Sequence, residues 1–462
     1  MLAPFRGIRY ARDRVSGIAN VTSPPYDVIN GGILDHLRAA DPHNVVRLIL
    51  PGEDVDASKA AAALLREWLS AGVLIRDRMA SLYIYEQSVH ADPVCLQRGI
   101  IGLVRLGSPD SAGILPHEGV MPGLVAGRRE LMAATQANLE PIFLLYDGKQ
   151  PGEALPSTAG PPTAGPSATG EEATAVVDRV TAERAPLVSI TTEDGVTHRL
   201  WRVGDSAEQA AISADLAGRR ALIADGHHRY AAYLDLQAEM HAAGLGAGPW
   251  DYGLAFLVDS AAYPPRLGAI HRVLPGLPPD RAAELAKAAF TVEDLPAGLR
   301  LDDALQRLAA AGLEGPAFLL AGGPVFRLLT HPDPVQLAAS MPPGASAPWQ
   351  TLDASVMQQL LLGRLWGVTD SEHDVLIDHD AADAVLAVSG DATATDVAER
   401  PAGPFSADAA VADGGTAVIS NPASFEVVAQ IAAHGERVPR KSTSFGPKPR
   451  TGLVLRTFGP SD

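Results

Sequence analysis

The run ALIADGHHRYAAYL, residues 221–234, constrains this chain most. Four apolar residues lead straight into Asp225-Gly226, then two histidines, an arginine and a segment of helical character. A short apolar run followed directly by a helix is the strand-turn-helix unit of α/β proteins. Gly226 can adopt the positive φ of a tight strand-to-helix turn, and the helix start offers unpaired N–H groups to an anion. His227, His228 and Arg229 add hydrogen-bonding or cationic groups at that mouth, an arrangement suited to phosphate. A plainer reading is that Asp225 caps the helix and Arg229 pairs with it. The adjacent histidines lack the HExxH spacing by which one helix holds a metal ion.

The same alternation recurs along the chain. Residues 56–72 read as a helix, with Asp56 as its cap, Ala60, Leu64, Leu65, Trp68 and Leu69 on one face, and Gly72 as its stop. The segments SLYIYEQ and GIIGLVRL read as strands, RRELMAATQANL as a helix and IFLLY, residues 142–146, as a buried strand. HRLWRV and GLAFLVD are further strands, with a short helix over 208–216 and a longer one over 230–243. Residues 151–174, rich in Pro, Gly, Ser, Thr and Ala, have almost nothing to bury and read as a flexible loop or linker. The expected organisation is an N-terminal α/β module over 1–150, that linker, a core carrying DGHHR over 175–279, a small α/β insertion over 280–345, and a C-terminal module over 346–462 that completes the site.

At 462 residues the chain is long enough for two or three packed modules, and 47% hydrophobic with 20% charged residues is a globular balance. A formal charge of −17 disfavours nucleic acid as a partner. Cys95 is the single cysteine, which excludes an internal disulfide and a cysteine zinc cluster and fits a reducing compartment. Residues 1–14 show no signal-peptide pattern and no apolar run approaches a membrane span, so the expectation is a cytoplasmic protein without membrane contact.

Three further constellations bear polar chemistry. His117-Glu118, after Pro116, places a carboxylate beside an imidazole, as a general base or magnesium ligand requires, although a solvated loop explains it too. Arg440-Lys441-Ser442-Thr443, with Lys448 and Arg450, is the one basic patch of an acidic chain and could hold phosphate or simply be a solvated tail. Pro24-Pro25 would hold Tyr26 and Asp27 in an extended entry, with a structural turn as the plainer reading.

Taken in order, PFRGIRY, PPYDVI, NVVRLILP, LYIYEQ, RGIIGLVRL, PHE, ANLEPIFLLYDG, IADGHHRYAA, IHRVL and RKSTSFGPKPRTGLV resemble the DUF1015 family across nearly the whole chain. The DGHHR segment in turn resembles the phosphate-binding loop of the ParB/sulfiredoxin-like fold, which includes the free serine kinases. The resemblance implies an α/β (α+β) chain with a ParB/sulfiredoxin-like core. It also implies a kinase of free L-serine that forms O-phosphoserine with pyrophosphate or a nucleotide (ATP or ADP) as donor and Mg²⁺ as cofactor.

Carried over residue by residue, Asp225 or Glu118 would be the base. Gly226, His227, His228, Arg229, Lys441, Ser442, Thr443 and Lys448 would bind phosphate, and Tyr26, Asp27 and His117 the substrate. Val120 stands where the family usually has threonine, and Gly127 where it usually has aspartate. The competing readings are a ParB-like nucleotide- or nucleic-acid-binding regulator and an inactive homologue. A sulfiredoxin-like reductase would need a cysteine in the loop, where His227 and His228 stand. A homodimer is compatible with the sequence.

Overall fold

The structure, a computed structural model, describes residues 2–52, 54–90, 94–107, 113–149, 172–369, 374–389 and 415–458. Two compact units emerge. The first comprises residues 1–116, 120–265 and 447–462, and the second residues 117–119 and 266–446. The fold class is mixed α/β, as expected.

The first unit is built on a nine-stranded mixed sheet. Its order is Ile114–Leu115, Ala221–Asp225, Ile142–Tyr146, Tyr252–Asp259, Cys95–Arg105, Leu82–Val89, Val196–Val203 and Val188–Thr191, with Leu2–Ala3 pairing Cys95–Arg105. Ala221–Asp225 runs parallel to Ile114–Leu115 and antiparallel to Ile142–Tyr146, and both of the longer strands are buried throughout. A strand covered on both faces has no polar side, so it reads as a continuous apolar run rather than an alternation.

Helices Pro122–Thr135, Glu172–Glu183, Ser206–Leu216 and His227–Ala242 pack Val125, Met132, Val176, Ile212, Tyr233 and Leu236 into one apolar core with the sheet. The sequence reading passes over Glu172–Glu183, although Ala173, Val176, Val177 and Val180 recur at helical spacing and are all buried. Residues 172–174 of the expected linker open that helix, and residues 151–171 lie outside the described residues.

Helix Ala57–Ser70 occupies its expected place with two corrections. Asp56 makes no side-chain cap and instead pairs with Lys59 at 2.7 Å. The buried face is Ala57, Ala61, Ala62, Leu65 and Trp68, while Ala60 is exposed. Gly72 stops the helix at φ 71°, and Gln136, at φ 51°, ends Pro122–Thr135 four residues short of the expected limit at 139 (139 − 135 = 4).

The second unit carries a six-stranded antiparallel sheet in the order Thr291–Asp294, Arg327–Thr330, Phe318–Ala321, Thr416–Ser420, His271–Leu274, Leu376–Asp378. The expected limits at 279/280 and 345/346 fall inside this unit, because its sheet takes strands from all three expected parts. The helix around residue 357 is a short α-helical turn, Asp353–Val356, continued as a π-helix over Met357–Trp366. Among the described residues no helix is long and apolar enough to cross a membrane.

Candidate active site at the Asp225 turn

The pairing of Ala221–Asp225 with Ile142–Tyr146 shifts between Ile223 and Asp225, so Ala224 and Asp225 together oppose one residue. A bulge at the end of a strand re-aims the side chain that follows it. Gly226 then takes φ 96°, ψ 28° and serves as the N-cap of His227–Ala242 without a side-chain cap. A Cβ there would lie 3.0 Å from Ile142 and 3.2 Å from the Arg229 guanidinium, so glycine is required for conformation and for space. The helix begins three residues earlier than expected, which places His227, His228 and Arg229 in its first turn.

Asp225 is therefore not a cap. Its Oδ2 accepts from Arg229 Nη2 at 2.5 Å, and its Oδ1 lies 2.8 Å from Lys448 Nζ. Lys448 also donates to the carboxylate of Asp27, so two carboxylates converge on one ammonium group. Burial alone would raise the Asp225 carboxyl, but Lys448 and Arg229 reverse this and hold it well below the usual carboxylate range. Burial likewise disfavours charge on Lys448, and Asp225 and Asp27 outweigh it, raising its pKa. For Arg229 the burial cost is outweighed by Glu140, Asp225 and Asp27.

The segment around Tyr26 reaches this cluster through the C-terminal stretch. Ser23 and Thr451 exchange backbone hydrogen bonds at 3.1 and 2.8 Å, and Arg450 donates to the Thr22 hydroxyl at 2.7 Å. Pro25 leads into a single 3₁₀ turn, Tyr26–Val28, whose first N–H donates to Glu140 Oε1 at 3.1 Å. The Tyr26 ring stacks under the guanidinium groups of Arg128, 4.4 Å away, and Arg229, 5.8 Å away. Burial pushes the Tyr26 phenol up to about 12, against the pull of Arg229. Glu140 is 5% exposed, and burial pushes its carboxyl up although Arg229 and Arg128 oppose the shift.

Of the expected site residues, Tyr26, Asp27, Asp225, Arg229 and Lys448 come together here. His227 is buried in the first helical turn. His228 Nε2 accepts the Met121 N–H at 3.0 Å, so this imidazole nitrogen satisfies the start of helix Pro122–Thr135. Arg128 and Glu140 belong to the cluster without having been singled out as site residues. The one sequence signal for Glu140 is a carboxylate standing at the mouth of a fully apolar run.

The second unit gathers the remaining candidates. His117 is fully buried, with Nε2 2.8 Å from the Thr443 hydroxyl and its ring 5.5 Å from that of Phe445. Glu118 Oε1 accepts the backbone N–H of Lys441 at 2.5 Å, where Lys441 has φ 53°. Ser442 donates its hydroxyl to the Pro439 carbonyl at 2.5 Å. Two constellations far apart in sequence thus form one structure, in which the Glu118 carboxylate stabilises a left-handed turn. Val120 is 40% exposed, and a Cβ at Gly127 would meet nothing within 4 Å.

The profile of DUF1015, a protein family of unknown function, matches residues 2–355. The chain belongs to the DUF1015 family. The DUF1015 match takes in Tyr26, Asp27, Glu140, Asp225 and Arg229, whereas Lys448 lies beyond it. No protein of curated function matches this DUF1015 chain significantly.

Among solved structures, a free serine kinase in complex with AMP aligns at 13% identity and TM-score 0.35, over 78% of this chain and 92% of that one. C-terminally truncated SbnI from Staphylococcus aureus aligns at 12% identity and TM-score 0.32, over 75% and 82%. A conserved hypothetical protein from Pyrococcus furiosus aligns at 12% and 0.34, over 77% and 93%.

Proposed function

We propose that this DUF1015 protein is a small-molecule kinase that transfers a phosphoryl group to the hydroxyl of free L-serine, with pyrophosphate or a nucleotide as donor. The observation that carries the reading is the convergence of Asp27 and Asp225 on Lys448 at the start of helix His227–Ala242. Phosphoryl transfer asks a protein chiefly to position donor and acceptor and to neutralise charge on the moving group. A helix N-terminus with an ammonium and a guanidinium beside it supplies that field.

The low pKa of Asp225 bears on its role. A carboxylate held ionised by two cations is a weak proton acceptor, so Asp225 is better suited to orienting the hydroxyl or holding a cation than to removing a proton at neutral pH. Magnesium commonly uses one or two carboxylates and completes its shell with phosphate oxygens and water. Asp27 and Asp225 already share one cationic partner, and among the described residues no group of three or more His, Cys, Asp or Glu side chains is set to hold a metal ion. Asp27 and Asp225 are the residues that would hold Mg²⁺, which would supply charge neutralisation on the donor phosphates. The choice of serine as acceptor rests on the sequence resemblance.

The test is a phosphoryl-transfer screen of the purified protein with magnesium, offering serine and related alcohols against pyrophosphate, ADP and ATP, read by ³¹P NMR. The expected result is donor-dependent O-phosphoserine. Absence of transfer from every donor to every alcohol would contradict the reading.

A further inference from the structure

Lys448 stands between Pro447 and Pro449. Neither proline has an N–H to give a sheet, and a residue that precedes proline is kept out of the helical region, so this extended stretch cannot join a β-ladder in the usual way. Side chains of strand Leu82–Val89 take the ladder's place. Gln87 Nε2 donates to the Lys448 carbonyl at 3.1 Å, and the Tyr85 hydroxyl accepts the Arg450 N–H at 3.1 Å. Tyr85 and Gln87 are two apart on the strand and so share one of its faces. Tyr85 is itself fixed. Because the Arg450 N–H donates to its oxygen, its own proton goes to His198 Nδ1, 2.8 Å away. Burial, with Arg450 adding to it, pushes the His198 imidazole down to about 3, so the ring is neutral and presents its own N–H at Nε2 to the Thr192 hydroxyl, 3.1 Å away. That hydroxyl donates to Asp194 Oδ1 at 2.5 Å.

Gln87 is a costly residue to keep at this place. It is 3% exposed, and its Oε1 has no hydrogen-bond partner among the described residues. Its cross-strand neighbour Gln97 has none at either amide atom. A buried polar atom left unpaired destabilises, and an apolar side chain of the same length would remove that penalty. Among the described residues the one hydrogen bond of the Gln87 side chain goes to the residue whose ammonium joins Asp225 and Asp27. We infer that Gln87 and Tyr85 are positioning residues, which hold the backbone on either side of Pro449 so that the Lys448 ammonium stands between Asp225 and Asp27. The inference rests on the kinase reading for what the lysine then does, and adds to it the residues that place it. Misplacing a group by about 1 Å can cost on the order of 10²-fold in rate, a loss large enough to offset the stability that Gln87 forfeits.

Acetylation of the full chain with a succinimidyl ester, read lysine by lysine with mass spectrometry, tests the placement without any turnover. Lys448, with 21% of its side chain exposed and two carboxylates on its ammonium, should react slowly beside the exposed Lys441. In Gln87→Met the Lys448 rate should rise about tenfold, the scale of one lost hydrogen bond in a local opening. Lys441 should react as before, and the melting temperature should hold, since removing the unpaired Oε1 offsets the lost bond. Tyr85→Phe, which keeps the ring and removes the hydroxyl, should also speed the reaction of Lys448. In phosphoryl transfer, kcat of Gln87→Met should fall roughly tenfold with the KM for serine unchanged. An unchanged Lys448 rate in both variants would overturn the inference. So would a lowered melting temperature in Gln87→Met with Lys441 and Lys448 both reacting faster, which is general loosening, or a normal kcat beside a faster-reacting Lys448. A faster-reacting Lys448 in variants of a protein that transfers no phosphoryl group would uphold the placement and remove the kinase reading.

Discussion

Asp225 shows what a residue type reveals and what it hides. Its position after an apolar strand and before a glycine was legible, and so was a pairing with Arg229 four residues on. Its second partner was not, because Lys448 lies 448 − 225 = 223 residues further along, and it meets Asp27 across 421. The electrostatics follow from that partner. A carboxylate with a depressed pKa contributes stability above its unfolded value near 4 and loses it as the pH falls further. A lysine with a raised pKa contributes fully below its unfolded value near 10.4 and loses it above. The cluster should therefore support the fold across about pH 4 to 10. In Lys448→Met the two carboxylates lose their shared cation, which should cost about 3 kcal/mol at neutral pH and start the acid loss of stability at a higher pH. Melting temperature against pH for both proteins checks this, and superimposable profiles would show that Lys448 does not hold the carboxylates.

Secondary structure was most legible where burial was greatest. Ile142–Tyr146 and Ala221–Asp225 lie buried inside the sheet, and their unbroken apolar runs announce it. Helix ends were less so, since Gly226 rather than a side-chain cap starts His227–Ala242 and a left-handed Gln136 stops Pro122–Thr135. The π-helix Met357–Trp366 leaves no signature in a pattern read at the α-helical period. Two glycines that look alike in sequence should behave oppositely. Gly226→Ala forces a side chain into positive φ against Ile142 and Arg229 and should destabilise by roughly 1–2 kcal/mol or more. Gly127→Ala, inside a helix with open space around it, should stabilise by about 0.5–1 kcal/mol. Chemical denaturation of both variants measures the two signs, and a shift in the same direction would refute the contrast.

The whole molecule divides where local patterns do not. The first unit recruits residues 447–462 from the far end of the chain, and the second draws in residues 117–119. A reading along the sequence expects modules in succession, and no periodicity marks a segment that returns to an earlier unit. That return delivers Lys448 to Asp27 and Asp225, while it is the resemblance that supplies serine and its donor. The claim that this cluster performs phosphoryl transfer is tested most directly at Asp225. Asn keeps the size of the side chain and can still accept from Arg229, but it lacks the charge that answers Lys448 and would hold magnesium. Single-turnover phosphorylation of L-serine by Asp225→Asn, with circular dichroism confirming a folded chain, should be slower by on the order of 10²–10³, the scale of losing one preorganised electrostatic group. A folded Asp225→Asn protein that transfers phosphoryl groups at the unaltered rate would contradict the account.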